Sequence, residues 1–144
     1  MTNHTAQPTM IKSAAKSLIM LLSLVFCCHT MAAQSKEYDV FIPISKYILQ
    51  GNSDALSAWF ADNLEITILS RHSDASKSQA RQIIKSFFDT YTPRSFTIIH
   101  TAGKANMKYV LGDLNAGGEN FRTTIFVCCN DDSFKIQQIK IDRL

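Results

Sequence analysis

The chain has 144 residues, with 15 lysines and arginines against 12 aspartates and glutamates. That length holds one domain and no more. Its formal charge of +3 is small, and the Lys/Arg clustering that nucleic-acid binding requires is missing.

In chain order the first feature is a leader. Lys12 and Lys16 precede an apolar run from Leu18 to Cys28, broken only by Ser23, and small residues follow at Ala32-Ala33. A positive start, an apolar core of about ten residues and a small-residue end make a secretory signal peptide. The run is shorter than the roughly 20 apolar residues a bilayer span needs. Residues 1–33 are therefore expected to be removed, with cleavage after Ala32 or Ala33; a retained membrane anchor is the alternative. A lipobox is the poorer reading, because the large Phe26 precedes Cys27. Cleavage removes two basic residues and no acidic one, leaving 13 against 12, so the mature chain is close to neutral. Cys27 and Cys28 leave too. The domain keeps only Cys128 and Cys129 and must be held by its core, without a disulfide framework.

Residues 34–37 read as a short disordered lead, and 38–144 as a single domain. Asp39 to Gln50 reads as a helix with Phe41, Ile44 and Ile48 on one face, Pro43 in its first turn and Gly51 as its left-handed end. Asn52-Ser53-Asp54 offers the cap of a second, short helix carrying Leu56, Trp59 and Phe60. Asp62-Asn63 reads as a turn. Leu64 to Leu69 alternates as a half-buried strand, and Arg71 to Ala75 as a polar loop. Ser76 to Tyr91 is the clearest helix: Ala80, Ile83, Ile84, Phe87, Phe88 and Tyr91 form one apolar stripe, Ser76 and Gln79 fit a capping box, and Pro93 ends it. Strands follow at Ser95–Thr101, Met107–Leu114, Phe121–Cys129 and Ser133–Asp142, with a hairpin at Asn115-Ala116-Gly117-Gly118. In the last strand Phe134 and Ile136 share one parity and Ile139 and Ile141 the other. That slip predicts a β-bulge at Gln137-Gln138 and a bent sheet. The fold class is α+β, with three N-terminal helices packed on a curved antiparallel sheet of about five strands.

Several stretches carry a family resemblance: Gly51-Asn52-Ser53-Asp54-Ala55-Leu56, Asp62-Asn63-Leu64-Glu65-Ile66-Thr67-Ile68, Ser78-Gln79-Ala80 with Phe87-Phe88, Pro93-Arg94-Ser95-Phe96, Phe121-Arg122 and Ile136-Gln137-Gln138-Ile139. Over residues 38 to 142 the chain resembles the exported bacterial domain-of-unknown-function 4783 family. That family lies within the nuclear transport factor 2-like, or cystatin-like, superfamily of cone-shaped domains. The resemblance implies that the α+β fold is a nuclear transport factor 2-like cone, implies a bacterial envelope or periplasmic location and names no activity. Enzymes of the superfamily, such as ketosteroid isomerases and scytalone dehydratases, place acids, tyrosines or histidines inside the cone. No such set maps onto this chain residue by residue, so no catalytic residue is carried over.

Few candidates for chemistry remain in the domain. His72 and His100 stand apart, without His-x-His or Glu-x-x-His spacing, and a zinc site wants three or four ligands. His72 is expected solvated in its loop, and His100, on the parity of Phe96 and Ile98, facing the core side. Adjacent strand residues point to opposite faces, so Cys128 and Cys129 cannot bridge each other. One is expected in the core, the other outward and able to pair between chains. Asp113, Glu119, Asp142 and Glu65, with Tyr47, Tyr91 and Tyr109, are the acid–base candidates. Asp113 reads as a residue placed by its hairpin, and Glu65 as solvated. The expected catalytic, metal and cofactor sets are empty.

The rings offer the best ligand basis. Tyr47, Trp59, Phe60, Phe87, Tyr91 and Tyr109 are the candidate lining of a cavity for a small apolar ligand, although rings at helical spacing also simply fill cores. The expected function is a non-catalytic module binding a small apolar ligand or a protein partner. The alternatives are an isomerase- or lyase-type enzyme using the interior, and a homodimer through the sheet face. For the last, the deciding feature is whether Thr123, Ile125 and Val127 or Arg122, Thr124 and Phe126 face outward. The leader makes one prediction: intact-mass measurement of the protein from its own envelope fraction will find a chain starting at Ala33 or Gln34, and a retained Met1 overturns this.

Overall fold

The computed structural model describes residues 39–144. The expected leader, lead and cleavage site lie outside the described residues. Helix α1, Phe41–Leu49, buries Phe41, Ile44 and Ile48. Its first turn is held by Asp39, whose Oδ1 accepts from the Phe41 amide at 2.9 Å. Gly51 ends it at φ +62°. Helix α2, Ser53–Ser57, is capped by Asn52, whose side chain accepts from the Ala55 amide. Helix α3, Lys77–Thr90, has both halves of the Ser76–Gln79 capping box and buries Ala80, Ile84, Phe87 and Phe88.

Six strands form one sheet: β1 Phe60–Ile68, β2 Arg71–Ser76, β3 Pro93–Lys104, β4 Met107–Ala116, β5 Glu119–Asn130 and β6 Ser133–Arg143. Their spatial order is β2-β1-β6-β5-β4-β3, so β2 and β3 are the edges. Strands β3 to β6 form an antiparallel meander. The β1–β2 hairpin joins it through β1 and β6, which run parallel.

This corrects the sequence reading in five places. The sheet has six strands, not about five, and one pair is parallel. Only α1 and α2 precede the first strand, because α3 lies between β2 and β3. Phe60 opens β1 instead of closing α2: it pairs with Ile136, and the Trp59 carbonyl accepts from the Ile136 amide at 2.7 Å. The supposed turn at Asp62-Asn63 lies within that strand, where the register shifts between Phe60 and Glu65. Finally, the polar loop is β2. Its residues look like loop because an edge strand is open to water, and only Ala75 of the six is buried.

The bulge expected at Gln137 is present: Phe126 faces Gln138 while Val127 faces Ile136. It turns Ile136, Ile139 and Ile141 all toward the core. A second register shift, at Ile99, lies between the pairs Ile98–Gly112 and His100–Leu111. It reverses the parity of β3, so His100 is exposed and lies on the face opposite the helices, against expectation.

One core joins α1 and α3 to Leu64, Ile66, Val110, Leu114, Phe121, Ile125, Val127 and the three β6 isoleucines. Two positions in it are delicate. A Cβ on Gly112 would stand 2.6 Å from Phe96 Cζ, so the missing side chain is what lets that ring cross the strand. Thr123 is 1% exposed, and its hydroxyl has no hydrogen-bond partner; an unpaired buried hydroxyl is destabilising. Thr123→Val, which keeps the shape, is expected to raise stability by about 1 kcal/mol. Gly112→Ala is expected to lower it by roughly 1–3 kcal/mol through overpacking. Urea midpoints at unchanged slope check both.

Candidate functional site

The cleft that stands out lies between α3 and the β1–β2 hairpin. Ile66 and Ile68 come from the helix-facing row of β1, and Ile83, Phe87 and Tyr91 from the flank of α3; with Leu69 they line an apolar floor. Arg71, His72 and Ser73 on β2 and Gln82, Ser86 and Thr90 on α3 complete a space of about 730 Å³. That size falls in the range of small-molecule clefts.

Backbone strain positions the β side of this cleft. Leu69 and Ser70 form the tight turn of the hairpin with φ of +50° and +67°. Such turns favour Asn-Gly, and a bulky L-residue in this region costs about 1–2 kcal/mol. The turn is held from β6, where the Ile141 carbonyl accepts from the Leu69 amide at 2.9 Å and Asp142 Oδ1 accepts from the Ser70 amide at 3.1 Å. Asp142 itself sits 3.1 Å from Lys140 Nζ.

The far end of the cleft is closed by rings. Phe87, Tyr91 and Phe121 form a triangle with centroids 5.1–5.3 Å apart. Arg143 stands over Tyr91 at 5.8 Å, donates to its phenol oxygen at 2.8 Å and donates to Glu119 at 2.6 Å. Its hydrogen bond to the Glu119 carboxylate raises the Arg143 guanidinium above its ordinary range. Glu119 is thus committed to an ion pair.

Of the six candidate rings, Phe87 and Tyr91 line the cleft and four do not. Phe60 is buried in the core. Tyr47 and Trp59 pack partly buried against it. Tyr109 lies on the opposite face, stacked on Phe126 at 5.3 Å and beside His100 at 5.9 Å. Ile66, Ile68, Leu69, Arg71 and Ile83 were missed as lining. The parity of β1 and the flank of the α3 stripe point at the isoleucines; nothing in the sequence points at Leu69 or Arg71 once β2 is read as a loop.

The other weighed groups have structural partners. Asp113 accepts from Arg122 Nε at 2.7 Å, directly across from it on β5; this outward ion pair, rather than the hairpin, occupies its carboxylate. Glu65 accepts from Gln138 at 2.6 Å. His72 is exposed on β2, with Nδ1 3.6 Å from Glu65 and 3.4 Å from the Thr67 hydroxyl and Nε2 3.9 Å from Asp74. Cys128 and Cys129 are free thiols, both half-buried, so neither is the fully buried core residue expected. Among the described residues no three His, Cys, Asp or Glu side chains converge as a metal site.

A family model described as a domain of unknown function, DUF4783, matches residues 41–142. The chain belongs to this family. Among solved structures it is similar to a family member from Bacteroides uniformis at 25% identity and a TM-score of 0.71, over 74% of this chain and 98% of that one. A member from Bacteroides fragilis has 24% identity and a TM-score of 0.69, over 74% and 100% of the two chains. A more distant likeness, at 13% identity and a TM-score of 0.53 over 91% and 98%, is to an NTF-2 like protein of unknown function from Silicibacter pomeroyi. These bear out the expected family and an α+β fold with a curved sheet of the nuclear transport factor 2-like kind. No curated protein matches the chain.

Proposed function

We propose that this DUF4783 domain is a non-catalytic binding module whose cleft between α3 and the β1–β2 hairpin takes a small apolar ligand. The observation that carries this reading is the apolar floor of Ile66, Ile68, Leu69, Ile83, Phe87 and Tyr91 under an open space of about 730 Å³. Apolar surface left in a concave site gains free energy when a ligand displaces its water, at about 25 cal/mol per Å². The carboxylates weighed for acid–base work support the non-catalytic reading, since Glu65, Asp113, Glu119 and Asp142 are each engaged by a neighbouring side chain. The signal-peptide pattern of residues 1–33 supports a working place in the periplasm or envelope of a bacterium.

Native mass spectrometry of the protein from its own envelope fraction, without reducing agent, tests the module. A mass released on denaturation is expected from the natural chain and is expected to be lost from Ile83→Trp, which fills the floor. A bare polypeptide, or an adduct that Ile83→Trp retains, overturns the assignment to this cleft.

A second reading concerns the face away from the helices. The outward row of β5 is Arg122, Thr124 and Phe126, whereas Thr123, Ile125 and Val127 face the core. Tyr109 and Phe126 stack on this outward face, with Leu111 on the same parity and Met107 48% exposed. We infer that this apolar strip is a homodimer contact. Light scattering is expected to give a doubled mass that Phe126→Lys reduces to a single one; a monomeric natural chain refutes it.

A further inference from the structure

We propose that the ligand of the cleft carries a single negative charge, a carboxylate on one apolar chain or ring, and that Arg71 is the residue that selects it. The proposal rests on the cleft reading above and adds the chemistry of the ligand's head.

Three observations carry it. First, the charge lining the cleft is one-sided. Arg71 is there, His72 is the other titratable base, and no aspartate or glutamate is among the lining residues. Second, Arg71 is unused. Arg81, Arg122 and Arg143 each hold a carboxylate oxygen at 2.6–2.9 Å, whereas Arg71 has no hydrogen bond or ion pair with any described residue. Arg94 shares that freedom but stands over the Gly118 turn. His72 does not compete, because its ring nitrogens lie toward Thr67, Glu65 and Asp74. Third, Arg71 is placed deliberately. It pairs with Ile68 across the hairpin, and paired residues share a sheet face, so it rises on the side that faces the cleft. The strained Leu69-Ser70 turn sets that register. Strained backbone of this kind persists where surrounding structure holds it, here through Ile141 and Asp142.

The chemistry follows from the side chains. A planar guanidinium matches a carboxylate with two parallel hydrogen bonds. It remains charged at every working pH. The floor beside it, formed by Ile66, Ile68, Leu69, Ile83 and the Phe87 and Tyr91 rings, is apolar and receives the tail. A second anionic group would find no second fixed cation in the lining, so a monoanion is favoured over a diphosphate or a dicarboxylate. A neutral ligand would leave Arg71 solvated and gain nothing from it.

Isothermal calorimetry with octanoate and octan-1-ol, which share a tail and differ in the head, tests this on the mature chain. Octanoate is expected to bind roughly tenfold tighter than the alcohol, the scale of one charge-assisted contact at a partly wet site. Arg71→Gln is expected to erase the preference, bringing the two affinities together, and Arg71→Lys to keep part of it. Because Arg71 is exposed and unpaired, neither variant threatens folding. Equal affinities in the natural chain overturn the carboxylate head while leaving the apolar cleft standing. A preference that survives Arg71→Gln overturns the role of Arg71. Failure of both ligands to bind overturns the cleft reading, and this inference with it.

Discussion

Strands β1 and β6 run side by side in parallel from Glu65–Gln138 to Ile68–Ile141, and this seam joins two pieces that would otherwise be separate. On one side stands the β1–β2 hairpin with α3, on the other the four-stranded meander. The seam is reinforced beyond its ladder. Gln138 donates to Glu65, the Trp59 carbonyl takes the Ile136 amide, and the Ile141 carbonyl takes the Leu69 amide. The bulge at Gln137 serves the same joint: it turns isoleucines of both parities inward, so β6 contributes to the core on each side of the slip. Parallel pairing needs a long connection between its strands, and here the rest of the domain supplies it. The seam is therefore the most non-local strand pairing of the sheet, and long-range pairing is intrinsically slow to form.

The cleft depends on this joint. Its floor comes from β1 and its far wall from α3, while the turn that bears Leu69 is clamped to β6. The aromatic triangle of Phe87, Tyr91 and Phe121 then ties the end of α3 to the start of β5. A pocket assembled between separately anchored elements can keep its shape when empty, which lowers the ordering cost of binding.

The helices were legible because their signals are local. The Ser76–Gln79 box, the α3 stripe, Gly51 and Pro93 each act within a few residues, and all appear as read. The Gln137 bulge was legible because a parity slip is written into one strand. Strand β2 was not, because a solvated edge strand carries no apolar alternation and the positive-φ turn Leu69-Ser70 has neither Asn nor Gly. The parallel seam was not, since its partners are about 73 positions apart and no local pattern specifies them. The failures at the site have the same origin. Strand β4 is apolar on both rows, with Val110 and Leu114 inside and Tyr109 and Leu111 outside, so the ring of Tyr109 could not be assigned a face. His100 followed its parity until the Ile99 bulge reversed it. Phe87 and Tyr91 could be assigned a face because they sit on the one stripe whose orientation the sequence determines.

The two edges of the sheet have a consequence for how the domain can meet other chains. Strand β2 is short and polar, and β3 begins at Pro93, slips register at Ile99 and carries Gly103, where any side chain would run into the Met107–Lys108 backbone. Neither rim offers a stranger a clean run of amides and carbonyls to dock on. Backbone-templated recruitment, which is indifferent to sequence, is thereby discouraged at both ends. Recognition through side chains is favoured instead, and recognition of that kind can be retuned one residue at a time without disturbing the scaffold.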